Sequence, residues 1–312
     1  MISVIIVTWN SAEYIEKCIE SLFRHSNEDV EVIVIDNDSN DKTTEIVEKL
    51  MESRSHIILI KNKENIGFGK ANNIGLERAR GEYCVFLNPD VFFVDNIFSE
   101  MVKILKKDES VGIVSPVLLN ADYSVQGFYG KLPTNGLSVI FEEVLIRPLL
   151  IHVVLKVKNG RRLIVGKKTK CASIGAAQMI RKNELIDLGG YPDRFFLYAE
   201  DIELAMRYER RHKNLYISNN TLIHYGGKSE ELAKPGLKVH HMTRNINHLL
   251  IRYYGIKKAT ECIKGYYVSS IIKRCLARIL RKSNLVKQYR IYAAAYRRIY
   301  DYNTKIQKKH NE

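Results

Sequence analysis

Continuous apolar runs alternate with amphipathic segments along the first third of the chain. The runs are rich in β-branched residues and have no polar face, which is typical of strands buried on both faces of a parallel sheet. They predict strands at residues 3–7, 31–35, 57–60 and 83–87. Segments with one apolar helical face lie between them and predict helices at about residues 12–24, 42–53 and 70–80. This alternation predicts right-handed βαβ units, and therefore an α/β fold with a mostly parallel sheet.

The pattern is less regular after residue 116. Ser11 is a suitable N-cap for the first helix, but residues 120–170 mix glycines, prolines and apolar runs, and no strand is assigned there. Further elements are predicted as a strand entered near Cys171, a helix from about Lys182 to Gly189, a helix that begins in the stretch Phe195–Leu204 and runs to about His212, and short strands at 215–217 and from 222.

The fourth predicted strand stops at Asn88-Pro89-Asp90, because proline has no amide hydrogen with which to continue a ladder. Asp90 therefore lies at the carboxyl end of a strand, where open α/β sheets bind their ligands. A carboxylate there is a candidate ligand for Mg²⁺ or Mn²⁺ shared with nucleotide phosphates. The alternative is a simple turn, since all three residues favour turns.

Two other strands also end in polar segments, Thr8-Trp9-Asn10 and Asp36-Asn37. The carboxyl ends of parallel strands meet at one edge, so these side chains are expected to lie together. Neither a P-loop nor a G-x-G-x-x-G follows the first strand. We therefore expect phosphate to be held by another device, of which a metal on Asp90 is the obvious one.

Six short stretches, in this order, resemble the inverting nucleotide-sugar glycosyltransferases of family 2, which have the GT-A fold with its Rossmann-like sheet. The resemblance covers roughly residues 1–255. The stretches are Val7-Thr8-Trp9-Asn10; Val34-Ile35-Asp36-Asn37 with Ser39 and Asp41; Asn65-Ile66-Gly67-Phe68 with Ala71, Asn72, Asn73 and Gly75; Asn88-Pro89-Asp90; Tyr198-Ala199-Glu200-Asp201; and His224-Tyr225-Gly226-Gly227-Lys228-Ser229.

The resemblance implies a role for several of these residues. Asp90 matches the metal ligand, and Asn88 stands where the family's Asp-x-Asp signature has its first acid, so waters, phosphates and His224 become the further candidate ligands. The alternative for His224 is a structural histidine at a strand end. Asp201 matches the general base, with Glu200 as an orienting partner. The family often carries an Asp where Glu203 stands, so Glu203 is expected only to face solvent. An alternative for Asp201 is a helix N-terminal acid favoured by the helix dipole.

The resemblance also implies a set of donor-binding residues. The glycines among them allow backbone to approach a ligand closely, and Gly226, Gly227, Lys228 and Ser229 are implied to form a loop over the diphosphate. For Thr8, Asn10 and Asn37 the alternative is a capping or turn role. The implied donor-binding residues are Thr8, Asn10, Asp36, Asn37, Asn65, Gly67, Asn72, Asn88, Asp90, Gly175 and Ala176.

The charged residues are distributed unevenly along the chain. The chain of 312 residues is 46% apolar and 27% charged, as in ordinary globular proteins, and carries a net charge of +14. The excess lies at the C-terminus, because residues 238–312 contain 18 Lys and Arg but only 3 Asp and Glu. We therefore predict a GT-A catalytic domain over residues 1–237, with its nucleotide-sugar half at about 1–116 and its acceptor half at about 117–237, and a basic helical region over 238–312.

The basic region has apolar residues at helical spacing and two open interpretations. It forms amphipathic helices that lie on an anionic cytoplasmic membrane surface, near a lipid-linked acceptor. Alternatively, it is a helical cap with a solvated basic face. A nucleic-acid role ranks below both, because no nucleic-acid motif accompanies the charge. Its predicted apolar stripes include Met242, Ile246, Leu249, Leu250 and Tyr253; Tyr267, Ile271, Ile272, Cys275, Ile279 and Leu280; and Leu285, Tyr289, Tyr292, Tyr296 and Tyr300.

Cysteines and hydropathy bear on the compartment. The five cysteines are odd in number and contain no C-x-x-C pair, which argues against a disulfide framework and a zinc site and fits a reducing cytosol. The apolar run Val4–Val7 is too short for a signal peptide, and no run of 18 apolar residues occurs. The expected location is therefore cytoplasmic, peripheral on the inner face of the cell membrane.

The function expected from the resemblance is transfer of a sugar from a nucleotide-diphosphate donor to a glycan or lipid-linked acceptor, in the synthesis of cell-surface polysaccharide. A divalent metal, Mg²⁺ or Mn²⁺, is the expected cofactor. The segments Asn65-Ile66-Gly67-Phe68 and Asn88-Pro89-Asp90 look most like the rhamnosyl-transferring branch, which makes dTDP-rhamnose the first donor hypothesis and a UDP-sugar the second. The alternative is an inactive nucleotide-sugar-binding or membrane scaffold protein.

Overall fold

The computed structural model describes residues 1–26, 28–126, 132–146, 167–169, 173–226 and 236–311. The chain divides into two compact units. The sheet unit comprises Met1–Lys131 and Arg161–Leu232, and the helical unit comprises Leu132–Gly160 and Ala233–Glu312. The described residues 132–146 thus group with the C-terminal helices, whereas the sequence prediction includes them in the acceptor half of the catalytic domain.

Strands of the sheet unit form one mixed sheet. Its order is β3-β2-β1-β4-β8-β6-β9-β5, with β7 also paired to β9. The strands are β1 (Ile2–Thr8), β2 (Val30–Asp36), β3 (Ile57–Lys61), β4 (Tyr83–Leu87), β5 (Val91–Phe93), β6 (Val111–Leu119), β7 (Lys167–Thr169), β8 (Ala177–Arg181) and β9 (Asn214–His224). The first four strands by chain order are mutually parallel, and β8 joins them antiparallel to β4.

Helices flank this sheet and make up most of the helical unit. In the sheet unit they are α1 (Ile15–Arg24), α2 (Thr43–Ser53), α3 (Phe68–Arg78), α4 (Phe98–Lys107), α6 (Lys182–Asp187) and α7 (Glu200–Arg210). In the helical unit they are α5 (Gly136–Phe141), which continues into a π-helical turn (Glu142–Ile146), α8 (Leu237–Ile279) and α9 (Ser283–Asn311). None of the described helices combines the length and apolar content needed to cross a bilayer.

The central strands are buried because both of their faces carry apolar side chains. In β1, Val4 and Ile6 pack into one core cluster, and Ile5 and Val7 pack into the cluster on the opposite face of the sheet. Every residue of β1, β2 and β4 is buried. The continuous apolar runs of the sequence therefore predicted these parallel strands correctly.

Several local predictions differ from the structure. Ser11 does not cap α1 with its side chain; its carbonyl oxygen accepts from the N–H groups of Tyr14 and Ile15, and α1 begins only at Ile15. Helix α4 and strand β5 were not predicted. Residues 214–224 form one strand rather than two, because β6 continues alongside them past a register shift.

Side-chain pairs join α8 and α9 within the helical unit. Tyr266 and Tyr296 stack with ring centroids 5.0 Å apart, and the amides of Asn247 and Asn303 exchange hydrogen bonds of 2.8 and 3.2 Å. Helix α8 bends at Gly255, whose φ of 81° is not helical. Among the predicted apolar stripes, Ile246, Leu249, Leu250 and Tyr296 are buried, whereas Cys275, Ile279 and Leu280 are exposed.

A buried carboxylate accepts hydrogen bonds from neighbouring elements at the amino-terminal edge of the sheet. Glu31 in β2 accepts from the Ser3 hydroxyl at 2.6 Å and from the Arg80 backbone N–H and Nε at 2.7 and 2.9 Å. These bonds connect two strands to the loop after α3. They satisfy a charge that would otherwise be costly to bury.

We expect Glu31→Gln to lower the free energy of unfolding by about 1–3 kcal/mol, because an amide cannot accept from Arg80 with both of its polar atoms. The measurement is urea denaturation followed by circular dichroism. The matched control is Glu48→Gln, which breaks an ion pair with Lys61 whose two side chains are about half exposed, and it should cost about 0–1 kcal/mol. Equal losses in the two variants would contradict the assignment.

Candidate active site

Three parallel strands deliver polar residues to one edge of the sheet. Thr8 and Asp36 are register partners at the ends of β1 and β2. Asn88 and Asp90 follow the end of β4, the neighbour of β1 on its other side. The predicted convergence at the carboxyl edge therefore occurs, and two groups of candidate residues form there.

Asp36 is the centre of the first group. Its Oδ1 accepts from the Thr8 hydroxyl at 2.8 Å and from the Ser39 hydroxyl at 2.6 Å, and its Oδ2 accepts from the Ser39 N–H at 2.9 Å. Asn10 joins through its own N–H, which donates to the Ser39 hydroxyl at 2.8 Å. The carboxylate thus holds the loops after β1 and β2 together, and the Thr8 and Asn10 positions are fixed by it.

Asn37 extends this group toward α3. Its N–H donates to the Thr8 carbonyl at 2.8 Å, and its Oδ1 accepts from the Asn62 amide at 2.8 Å. The Gly67 N–H donates to Asn65 Oδ1 at 3.0 Å. Asn62 was not recognised in the sequence, since nothing local marks it as a partner of Asn37.

Gly67 must be a glycine at this position. Its φ is +89°, and a Cβ there would lie 2.7 Å from the Phe196 carbonyl oxygen. The next residue, Phe68, donates its N–H to the same oxygen at 3.0 Å. The loop that leads into α7 is therefore seated directly on the start of α3.

Asn72 stands apart from the other candidate residues. Its amide nitrogen donates to the Phe68 carbonyl one turn earlier at 3.1 Å. Its Oδ1 is buried and has no hydrogen-bond partner among the described residues. That acceptor is available to a ligand, but no described contact joins Asn72 to the rest of the predicted set.

Asp90, His224 and Asn88 make up the second group. The pairing of β5 with β9 places His224 opposite Val91, next to Asp90. His224 Nε2 lies 3.3 Å from Asp90 Oδ1 and 3.4 Å from the Asn88 amide nitrogen. Asp90 and His224 are both buried, at 4% and 7% exposure.

Gln126 fixes the orientation of the His224 ring. Its amide nitrogen donates to the His224 carbonyl oxygen at 2.6 Å, and its Oε1 lies 2.8 Å from His224 Nδ1. Because Oε1 can only accept, Nδ1 donates to it in this arrangement, and Nε2 is directed at Asp90. The sequence offered no signal for Gln126, which lies 98 positions away from its partner.

A divalent cation fits the Asp90 and His224 pair. Asp90 Oδ1 and His224 Nε2 lie 3.3 Å apart, and adjacent ligands of an octahedral Mg²⁺ or Mn²⁺ lie about 3 Å apart. Among the described residues, no group of three or more His, Cys, Asp or Glu side chains could enclose an ion. Phosphate oxygens and water would complete such a site, as is usual for Mg²⁺.

Asp201 lies against the small-residue loop before β8. Its Oδ2 accepts from the Gly175 N–H at 3.1 Å, and its Oδ1 accepts from the Ile202 N–H at 2.8 Å. A Cβ on Gly175 would lie 3.2 Å from Asp201 Cβ, so the backbone approaches closely here. The adjacent Ala176 is buried, and its carbonyl oxygen accepts from the Asn88 N–H at 2.9 Å.

Direct contacts therefore connect the second group to Asp201. They run from Asp90 through His224 to Asn88, then through Ala176 to Gly175 and Asp201. A run of contacts within the sheet unit thus links the predicted cation ligands to the predicted base. Of the predicted glycine loop, Gly227, Lys228 and Ser229 lie outside the described residues.

Burial sets the electrostatics of the two acids at the start of α7. Glu200 and Asp201 are 8% and 7% exposed, and Glu200 Oε2 has no hydrogen-bond partner within the described structure. Burial raises the pKa of both carboxyl groups, and the charge of Asp201 raises the pKa of Glu200 further. Tyr191, buried beside them, has its hydroxyl pKa raised by burial and by these two charges.

The backbone before these acids is strained. Tyr198 and Ala199 have φ values of 69° and 75°, a left-handed conformation that costs about 1–2 kcal/mol for residues other than glycine. The strained turn places Glu200 and Asp201 in the first turn of α7, where the helix dipole favours negative charge. Tyr191 and this strain were not recognised in the sequence.

Glu203 is not a solvent-facing residue. Its side chain is fully buried, 3.0 Å from Arg207 Nη2 and 3.8 Å from Arg194 Nε. Arg207 also donates to the Gly190 carbonyl at 3.2 Å. Glu203 therefore supports the turn before α7 through two arginines, and it makes no described contact with Asp90 or His224.

The fold and this site define the class of protein. The chain has the GT-A fold of nucleotide-sugar glycosyltransferases, and it superposes on the mannosyltransferase PcManGT from Pyrobaculum calidifontis in complex with GDP-Man and Mn²⁺. That alignment has a TM-score of 0.59 and 19% identity, and it covers 100% of this chain and 87% of the other. The likeness concerns the fold.

The sequence places the chain within that class. Residues 3–170 match the profile of Glycosyl transferase family 2, and the chain belongs to this family. The UDP-Glc:alpha-D-GlcNAc-diphosphoundecaprenol beta-1,3-glucosyltransferase WfaP of Escherichia coli is 29% identical over 133 residues, which are 43% of this chain and 52% of WfaP. An uncharacterized glycosyltransferase of Haemophilus influenzae is 25% identical over 286 residues, 85% of this chain and 84% of the relative.

The matched regions are partial for most curated relatives, since the chain spans about half the length of WfaP and of two further relatives. The predicted family 2 and GT-A assignments are confirmed. The rhamnosyl-transferring branch and the individual site roles stay predictions.

The buried acids predict a pH-dependent stability. When the pKa of a carboxyl group is higher in the folded than in the unfolded protein, the folded state loses stability as the pH rises above the pKa of that group in the unfolded chain, about 4.3. We expect the free energy of unfolding to fall from there toward neutral pH, by up to about 1.4 kcal/mol per pH unit. Glu200→Gln should flatten this fall when denaturation is repeated across the range.

The exposed Glu77→Gln serves as the control and should leave the pH profile unchanged. A Glu200→Gln profile parallel to that of the wild type would show that Glu200 is not protonated on folding.

Proposed function

We propose that this protein is a metal-assisted, inverting glycosyltransferase that moves a hexosyl or rhamnosyl group from a nucleotide-diphosphate sugar to a glycan or lipid-linked acceptor. The observation that carries the proposal is the run of contacts from Asp90 and His224 to Asp201. These contacts connect the two proposed cation ligands to a buried carboxylate, which supports the proposal. Inverting transfer needs these two functions on opposite sides of the reacting sugar.

Asp201 is the proposed general base. It takes the proton of the acceptor hydroxyl as that oxygen bonds to the anomeric carbon and the bond from this carbon to the diphosphate oxygen breaks. The N–H groups of Gly175 and Ile202 hold its two oxygens in place. Burial raises its pKa toward the neutral range, which suits a base that must accept and release a proton. Glu200 is the proposed orienting neighbour.

Asp90 and His224 are the proposed ligands of Mg²⁺ or Mn²⁺. Such an ion, when bound, neutralises charge on the departing nucleoside diphosphate. Asn88 and Gln126 keep the His224 ring in position, as outer residues commonly do for metal-bound histidines. Asp36, Asn37 and the Asn65–Gly67 turn form the proposed site of the nucleoside.

The donor and the acceptor are proposed from chemistry and from relatives. We propose dTDP-rhamnose as the first donor and a UDP-sugar as the second. WfaP is named for UDP-Glc and for an undecaprenol-linked acceptor, which supports a lipid-linked acceptor for this chain. The 18 basic residues of the C-terminal 75 support peripheral attachment to the anionic inner face of the cell membrane.

The first test is isothermal titration of the protein with UDP and with dTDP, with and without Mn²⁺. We expect one nucleotide to bind at least about tenfold more tightly with the metal, since the diphosphate and the cation share ligands. Asp90→Ala should remove this enhancement. Asp95→Ala, an exposed acid five residues further on, should retain it. A folded protein that binds neither nucleotide would overturn the metal–diphosphate assignment.

A second test separates binding from transfer. Asp201→Asn keeps the size of the side chain but removes the base, so we expect sugar transfer to fall by about 10²-fold or more while nucleotide affinity changes little. The measurement is nucleoside diphosphate release with a lipid-linked acceptor. An inactive binding or scaffold protein would instead release no nucleoside diphosphate in the wild type, with any donor or acceptor tried.

A further inference from the structure

Helix α5 and the π-helical turn that follows it are apolar on two faces. The inner face packs on α8, where Val139 is 1% exposed and a Cβ on Gly136 would lie 2.5 Å from the Glu261 carbonyl oxygen. Glu143, seven residues after Gly136, forms an ion pair with Lys273 of α8. One apolar face is therefore already used by packing within the helical unit.

The second apolar face is exposed. Leu137, Phe141 and Leu145 are 80%, 56% and 56% exposed. Residues four apart lie on the same side of a helix, so the three side chains form one stripe, named here the outer stripe. Single exposed apolar residues are ordinary, but a contiguous apolar patch typically marks an interaction site.

The outer stripe leads toward one end of the helical unit. Gly136 lies against Glu261 of α8, and Glu143 pairs with Lys273, which is further along α8. Helix α5 and its π-helical turn therefore run parallel to α8, toward the C-terminus of α8. At that end, more large apolar side chains are exposed. They are Leu276, Ile279 and Leu280, at 46%, 75% and 64%.

The positive charge at this end of the helical unit favours an anionic partner. Residues 262–300 contain ten Lys and Arg and no Asp or Glu. Arg278, Arg281 and Lys282 are exposed among the apolar residues of the α8 C-terminus. A second copy of the same surface would bring like charges together, whereas an anionic bilayer offers negative headgroups above an apolar interior.

We infer that the outer stripe and the α8 C-terminus insert into the interface of an anionic phospholipid bilayer, with the arginines and lysine at the headgroups. The inference rests on the membrane attachment in the proposed function and deepens it. It assigns the apolar contact to a segment outside the basic C-terminal region, and limits the role of that region to electrostatic attraction and one inserting end. Stable peripheral attachment takes two such contributions, apolar insertion and electrostatic attraction.

The test is co-sedimentation of the full chain with vesicles of phosphatidylcholine alone or mixed with phosphatidylglycerol. The wild type should bind the mixed vesicles. The triple variant L137S/F141S/L145S should bind them about tenfold or more weakly, since insertion of three large apolar side chains is lost. The control V94S/I186S removes two exposed apolar residues of the sheet unit and should bind as the wild type does.

Fluorescence gives an independent readout of insertion. Trp9 is the single tryptophan, so the variant W9F/F141W reports on the outer stripe alone. Its emission should shift to the blue with mixed vesicles and be quenched by brominated lipid chains. Absence of both effects in a protein that sediments with vesicles would overturn the inference.

Three outcomes separate this inference from the proposals it rests on. Unchanged vesicle binding by the triple variant would overturn insertion of the stripe and leave membrane attachment and transferase activity standing. A wild type that binds no vesicle would overturn attachment as well, while UDP or dTDP titration would still test the donor site. A wild-type dimer that the triple variant converts to a monomer would assign the stripe to contact between copies, against the inference.

Discussion

Burial of two adjacent carboxyl groups at the start of α7 is the constraint around which the sheet unit is arranged. Removing a carboxylate from water costs several kcal/mol, and Glu200 and Asp201 are both largely buried. The surroundings offset part of this cost with the N–H groups of Gly175 and Ile202 and with the positive end of the helix. The strained turn at Tyr198 and Ala199 adds a further cost, which the rest of the fold must sustain.

The proposed cation ligands are brought together by pairing between strands that are distant in sequence. Asp90 lies between β4 and β5, whereas His224 is the last residue of β9. They meet because β5 pairs with β9 at a defined register, and Gln126, in the segment after β6, then contacts His224. In the proposed site, which has one carboxylate where the family signature has two acids, ligand geometry would depend on the orientation of the His224 ring.

The features that could be predicted from the sequence are those that the local residue pattern determines. The four parallel strands follow from continuous apolar runs, and the polar residues after them follow from where those runs stop. Helix α4 was not predicted, although Phe98, Met101 and Leu105 are buried at helical spacing. Gln126, Asn62 and Tyr191 were missed for a physical reason, since each acts through a partner distant in sequence.

The second unit shows the same limit. No local sequence pattern indicates that residues 132–146 pack with the C-terminal helices, because this packing depends on the close approach of Gly136 to Gly265. Hydrophobic periodicity also does not predict that Ile279 and Leu280 are exposed, because the same sequence pattern arises whether an apolar stripe faces protein or another apolar medium.

The contact between Gly67 and the Phe196 carbonyl has an evolutionary consequence. It joins the turn at the proposed nucleoside site to the loop that carries Glu200 and Asp201, with no room for a side chain between them. In the proposed enzyme, a change at Gly67 would therefore alter donor recognition and placement of the base at once. Divergence to a new donor would accordingly be easier through Asn37 and Asn62, whose amides can exchange partners without moving the backbone of α7.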